Sequence, residues 1–195
     1  VRASSVALNA TDASLIVGTG GGVALAVGGG YVGVGIAIGA SVAQNVVGNQ
    51  VGATISASSV EATAGNLSLR ATESSTIDAL TVGGAIGIGG GAAGVGVAGA
   101  GAGAANTISN AVEASASGGS SLKAAGTIGL TASDDAKIQA DAGGLAVAVG
   151  GGFVGAGASV GVAVSENKVT NTVRGFRNEG WENYRQMLLG MYPQR

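Results

Sequence analysis

The stretch GGGYVGVGIAIGASVAQN, residues 28–45, decides the fold. From Val32 the even positions read Val32, Val34, Ile36, Ile38, Ala40 and Val42, while the odd ones read Gly33, Gly35, Ala37, Gly39, Ser41 and Ala43. A period of two belongs to a β-strand, whose successive side chains point to opposite faces, whereas a helix would scatter these residues round every side. The runs 13–60 and 79–112 carry no charge, and each is long enough to cross a bilayer as a helix,. Glycine costs a helix roughly 1 kcal/mol per position relative to alanine, and the alternation favours strands. Close glycine contacts between membrane helices keep a membrane-embedded assembly open as an alternative.

This strand lacks a polar face. An ordinary half-exposed strand carries Thr, Lys or Glu on its outer side. Here Gly33, Gly35, Ala37, Gly39 and Ser41 form a face of small residues, repeated by Gly155, Gly157, Ser159 and Gly161. Small residues let another backbone approach closely, so this face is expected to be covered by another layer of the chain or by a neighbouring molecule.

Working outward, the pattern returns at a fixed interval. Gly28-Gly29-Gly30 recurs as Gly89-Gly90-Gly91 and as Gly150-Gly151-Gly152, and Leu8, Leu69, Leu130 and Ile16, Ile77, Ile138 keep step. A fixed period signals a repeat architecture. Three copies fill residues 1–175, and four of the six aromatics lie in an off-repeat tail, 176–195. The first copy starts in mid-pattern at Val1, as expected of a fragment or a processed chain,.

The repeat predicts an all-β fold, a parallel β-helix or β-solenoid with a 61-residue repeat and a short C-terminal helical tail; a layered antiparallel β-sandwich is the alternative. Strands are expected near 5–11, 14–18, 22–28, 31–43 and 46–57, with turns or bulges at the glycine triplets and at 43–45. Three coils of about 20 residues would fill each repeat. After Asn45 the large residues switch to odd positions, Val47, Val51 and Ile55, so a bend there should absorb one residue.

Composition excludes much chemistry. With no cysteine and no histidine, there is no Ser/His/Asp triad, thiolate nucleophile, disulfide framework or zinc site of the usual ligands. Enzyme activity is not expected. A net charge of −2 gives no field for nucleic acid,, and a mean hydropathy of +0.46 is too apolar for a chain kept soluble by disorder,.

Three sets of polar or aromatic residues are site candidates. Asn45, Asn106, Asn167 and Asn49, Asn110, Asn171 recur in register, and stacked amides can form hydrogen-bonded ladders that staple turns,. Asp12, Glu73 and Asp134 also align. They are weak candidates for calcium, since the spacing matches no calcium-loop motif, and otherwise read as solvated turns that discourage edge-to-edge aggregation. No other cofactor is expected. In the tail, Trp181, Tyr184, Leu188 and Met191 make an apolar stripe at helical spacing that could cap the last coil,.

The full repeat reads Gly-Gly-Gly, alternating Gly/Ala with Val/Ile, Asn-x3-Asn-x-Val, then Leu-x-Leu-x-Ala-Thr/Ser-Asp/Glu. Over residues 1–175 it resembles the β-strand repeats of large bacterial surface proteins, the filamentous-haemagglutinin-like and autotransporter-type adhesins. The resemblance implies a secreted, elongated structural or adhesive segment, extracellular or at the cell surface, and carries over no catalytic residue. The expected function is a stiff self-associating rod, with homo-assembly through sheet edges or the small-residue face. Beside the membrane alternative, an ice-, mineral- or glycan-binding face built on the asparagines is the other rival. Membrane insertion is not expected, and the residues name no receptor.

Overall fold

The computed structural model describes residues 1–178, and they form strands and links only. Each coil starts with a long strand, β2 (Val6–Gly28), β6 (Leu67–Gly90) or β10 (Ile128–Gly151). A turn leads into the returning strand, β3 (Val32–Val47), β7 (Ala93–Ile108) or β11 (Val154–Val169). A short strand follows, β4 (Gln50–Ser56), β8 (Ala111–Ser117) or β12 (Thr172–Arg177), and β5 (Ser59–Ala62) or β9 (Ser121–Ala124) closes the loop; β1 (Arg2–Ala3) pairs with β5.

Like strands stack into four three-stranded sheets, and every pairing is parallel. Val6 pairs with Leu67 and Leu67 with Ile128, each time one full repeat further along the chain. Shorter coils would pair strands of the same repeat with one another. No such pairing occurs among the described residues, and the antiparallel sandwich is overturned. The two long sheets do run in opposite directions, but they face each other rather than share hydrogen bonds. The long strands also correct the expected segmentation. Gly18, Gly20, Gly21 and Gly22 lie within one 23-residue strand, which at about 3.3 Å per residue is about 75 Å long,. The local turn signal of glycine is overridden by pairing along its whole length. Strand pairing reaches Arg177, two residues past the expected end of the repeat.

The cross-section is a blade on a broad root. At the root, β4, β5, β6 and β8 close round Leu67, Leu69, Val112, Val60 and Ile55. Further out, Ile77, Ile108 and Val47 fill a narrower layer. Beyond them the two long sheets meet through small residues, among them Ser41, Thr81, Gly83, Ala37, Ala85 and Ala98, and nearest the tip through glycine. Odd-numbered residues of the first coil face inward continuously from Gly33 to Ile55. No residue is absorbed at Asn45. The phase change marks where the inward face passes from small residues to aliphatic ones, while the strand keeps its alternation.

The expected covered face is met by the chain itself: Gly33, Gly35, Ala37, Gly39 and Ser41 are buried against the first and second long strands, while Ile36 is 60% and Ile38 78% exposed. A Cβ added to Gly87 would stand 2.8 Å from the Val97 carbonyl carbon and closer still to its oxygen, inside any real Cβ contact. Two sheets with aliphatic faces pack about 10 Å apart, so only glycine and alanine permit this approach. Large residues are therefore displaced to the outer surfaces.

The layers are staggered. β3 lies over β2 and β6, β7 over β6 and β10, and β11 over β10. Gly155, Gly157 and Gly161 still face β10, and Ser159 continues that strand, yet all four are exposed, because β11 overhangs the last coil. The glycine triplets do form the blade tip. Gly28 is needed for close approach to Val34, Gly29 points into open space, and Gly30 has a φ of 129°, which side chains rarely adopt,.

Candidate functional site: the inward amide and carboxylate ladders

Unbroken register between the three long strands of each sheet brings the same position of each repeat into line. Inside the blade, beyond the Ile77 layer, Asn45 donates from Nδ2 to Oδ1 of Asn106 at 2.8 Å, and Asn106 donates likewise to Asn167 at 2.9 Å. Each amide thus joins two coils without leaving a polar atom idle between them. These residues lie in the body of the returning strands, so 43–45 is no turn.

The second asparagine set sits in the link after those strands and works in two directions. Across coils, the Asn49 N–H donates to Asn110 Oδ1 at 3.1 Å and the Asn110 N–H to Asn171 Oδ1 at 2.9 Å. Within coils, the side-chain amides hold the carboxylates: Asn49 reaches Asp12 at 2.7 Å, Asn110 reaches Glu73 at 3.3 Å, and Asn171 reaches Asp134 at 2.8 Å. Ser14 adds a bond to Asp12 at 2.9 Å, and Ser75 adds a short one to Glu73. In the third repeat Ala136 takes the serine's place.

The acidic series therefore corrects its expected setting. These residues are in mid-strand and point inward, and Glu73 is 1% exposed rather than part of a solvated turn. Burying a carboxylate is costly unless donors surround it. Glu73 Oε1 accepts from Asn49, Asn110 and Ser75, whereas Glu73 Oε2 and Asp134 Oδ2 have no partner. Among the described residues, no three acidic groups are arranged to hold a metal ion. What the arrangement does chemically is fix register: a shift of one coil by one residue would turn all these groups to the outer face.

Sequence reasoning aligned the asparagines and the acids separately and missed that they meet. The signal was present in the constant separation, 37 positions, from Asp12 to Asn49, Glu73 to Asn110 and Asp134 to Asn171. Trp181, Tyr184, Leu188 and Met191, with the expected capping helix, lie outside the described residues. Comparison with protein-family models, curated proteins and solved structures finds no match to this chain.

Proposed function

We propose that this chain is a structural segment of an elongated extracellular β-solenoid, with one 61-residue coil per repeat, of the kind found in the bacterial surface proteins it resembles. Its ends are its working surfaces. The supporting observation is that, among the described residues, β2, β3 and β4 at one end, and β10, β11 and β12 at the other, each have a strand partner on one side only. Unpaired parallel edges are templates for further strands. The internal ladders stop there in mid-series: among the described residues, Asn167 accepts from Asn106 and donates to none.

Proportions point the same way. Three coils at about 4.8 Å span only about 14 Å along the axis, against about 75 Å across the blade. Such a slat becomes a stiff rod only when more coils or more copies continue it. Negative-stain electron microscopy of the purified chain tests this reading, with rods or filaments as wide as the blade expected. Compact isolated particles at every concentration would count against axial stacking, and rings formed only in lipid would favour the membrane-embedded alternative.

A further inference from the structure

The stagger of the two long sheets leaves a step at each end of the blade. β3 lies against two strands at once: a Cβ at Gly33 would stand on the carbonyl oxygens of Gly28 in β2 and Gly90 in β6. One repeat on, Gly94 meets Gly89 and Gly151 in the same way, but Gly155, the third of the series, meets β10 alone, at Gly150 and Gly151. Its second strand is missing because β11 overhangs β10, and the inward residues of β11 are exposed. At the opposite end β2 has only β3 over it, so its inward residues are half-buried where those of β6 are buried.

The two steps continue one series, so they are complementary. We infer that they form a lap joint between two copies of this chain, in which β10, β11 and β12 of one copy pair in parallel with β2, β3 and β4 of the next, and the overhanging face of β11 closes over β2. This joint rests on the axial continuation proposed above and supplies its partner, a second copy. Carrying the contacts of Gly94 with Gly151 and of Gly96 with Val149 one repeat further sets Gly155 against Gly29, and Gly157 against Val27, of the next copy. Ser159, in line with buried Ala37 and Ala98, comes over Ala24 and Ala26 there. The ladders end in matching atoms. Among the described residues Asn45 Oδ1 accepts no bond and Asn167 Nδ2 donates none, and Asn49 Oδ1 and the Asn171 N–H are likewise unused. In the joint Asn167 donates to Asn45 and the Asn171 N–H to Asn49, the bonds that the inner coils already make.

Charge and area permit the joint. Arg2 and Asp12 are the only charged residues before Glu61, so Asp135, Lys137, Asp141, Glu166 and Lys168 meet uncharged positions. Asp134 comes beside Asp12 with Asn171 between them, as Asn49 lies between Asp12 and Glu73. Lys123 comes beside Arg2, both exposed, where solvent and salt make the repulsion weak,. An end about 75 Å long and about 10 Å thick presents about 750 Å²,. Two such ends bury about 1,500 Å², the size of a stable interface. Because the two ends differ, the contact is heterologous and repeats without closing.

The test uses the full chain, which has no cysteine of its own. Ala156 and Val34 hold the same place on the outer face, each paired with Val95. Across the joint they become neighbours about 4.8 Å apart, within the Cα span of a disulfide. Ala156→Cys and Val34→Cys, mixed and oxidised, should give a disulfide-linked dimer that neither variant gives alone. Ser159→Trp fills the overhang and should reduce rods to single copies in electron microscopy and sedimentation velocity, with the β-type circular dichroism retained. Ser159→Ala, which places there the residue of the first two coils, should assemble as the wild type does. Rods that form without the mixed disulfide, or that persist with Ser159→Trp, would overturn this joint and leave axial continuation through another contact standing. Single particles in which Ser159→Cys is shielded from a maleimide reagent would also overturn it, the step then being filled by residues 179–195 of the same chain. Single particles in which Ser159→Cys reacts freely would overturn both the joint and axial stacking.

Discussion

Gly83 and Gly101 face each other across the blade, and alanine at the two positions should have opposite consequences. At Gly83 the new Cβ would lie 2.7 Å from the Gly101 carbonyl carbon and closer to its oxygen. Ordinary contact begins near 3.4 Å, so the sheets would have to separate by about 1 Å along strands that are hydrogen-bonded on both sides, and overpacking of this kind costs about 1–3 kcal/mol. At Gly101 a Cβ enters open space, and alanine there restricts the unfolded chain, stabilising by up to about 1 kcal/mol. Urea unfolding followed by circular dichroism separates the two. With a slope of about 2 kcal/mol/M, Gly83→Ala should lower the midpoint by about 0.5–1.5 M, while Gly101→Ala leaves it unchanged or raises it. Equal midpoints would refute the close glycine-to-backbone packing that defines the blade.

Three further outcomes follow from the ladders and the tip. Asn110→Ala strips two donor contacts from buried Glu73 and Ser75 and orphans the Asn49 N–H; it should cost about 2–4 kcal/mol in the same assay. Asn106→Ala breaks both amide bonds of its ladder, whereas Asn45→Ala breaks one, so the first should cost about 1–3 kcal/mol and the second about half of that. Gly91→Ala forces a side chain onto a φ of 154° against the Gly30 carbonyl. Hydrogen exchange should quicken at the Ala92 and Ala93 amides, which bond to Tyr31 O, and stay slow at Leu67 in the root.

Much of this architecture was legible in the sequence for a physical reason. A strand's two faces alternate, so the pattern of 32–42 shows through whatever packs against it, and a repeat that stacks in register must keep its own spacing, as the glycine triplets do. Coil size was not legible. Gly18, Gly20 and Gly22 look like breaks, yet they are the places where β2 needs no side chain because β3 lies against it, and Gly21 between them points outward. The apparent phase slip at Asn45 had the same origin, since size and inwardness are coupled at Val51 and inverted at Ile36. Glu73 was misplaced because a lone carboxylate reads as solvent-facing until its distant partner, Asn110, is known.

The most direct test of the central claim is a distance between positions 36 and 158. Ile36 pairs with Val97 and Val97 with Ala158, which puts the two on one face about 9.6 Å apart, two strand spacings. The chain has no native cysteine, so spin labels on introduced cysteines report this pair alone. With excess unlabelled chain present to dilute intermolecular contacts, the continuous-wave spectrum should show strong dipolar broadening. An unbroadened spectrum, as from labels about 29 Å apart across six shorter coils at the same spacing, would contradict a single coil per repeat.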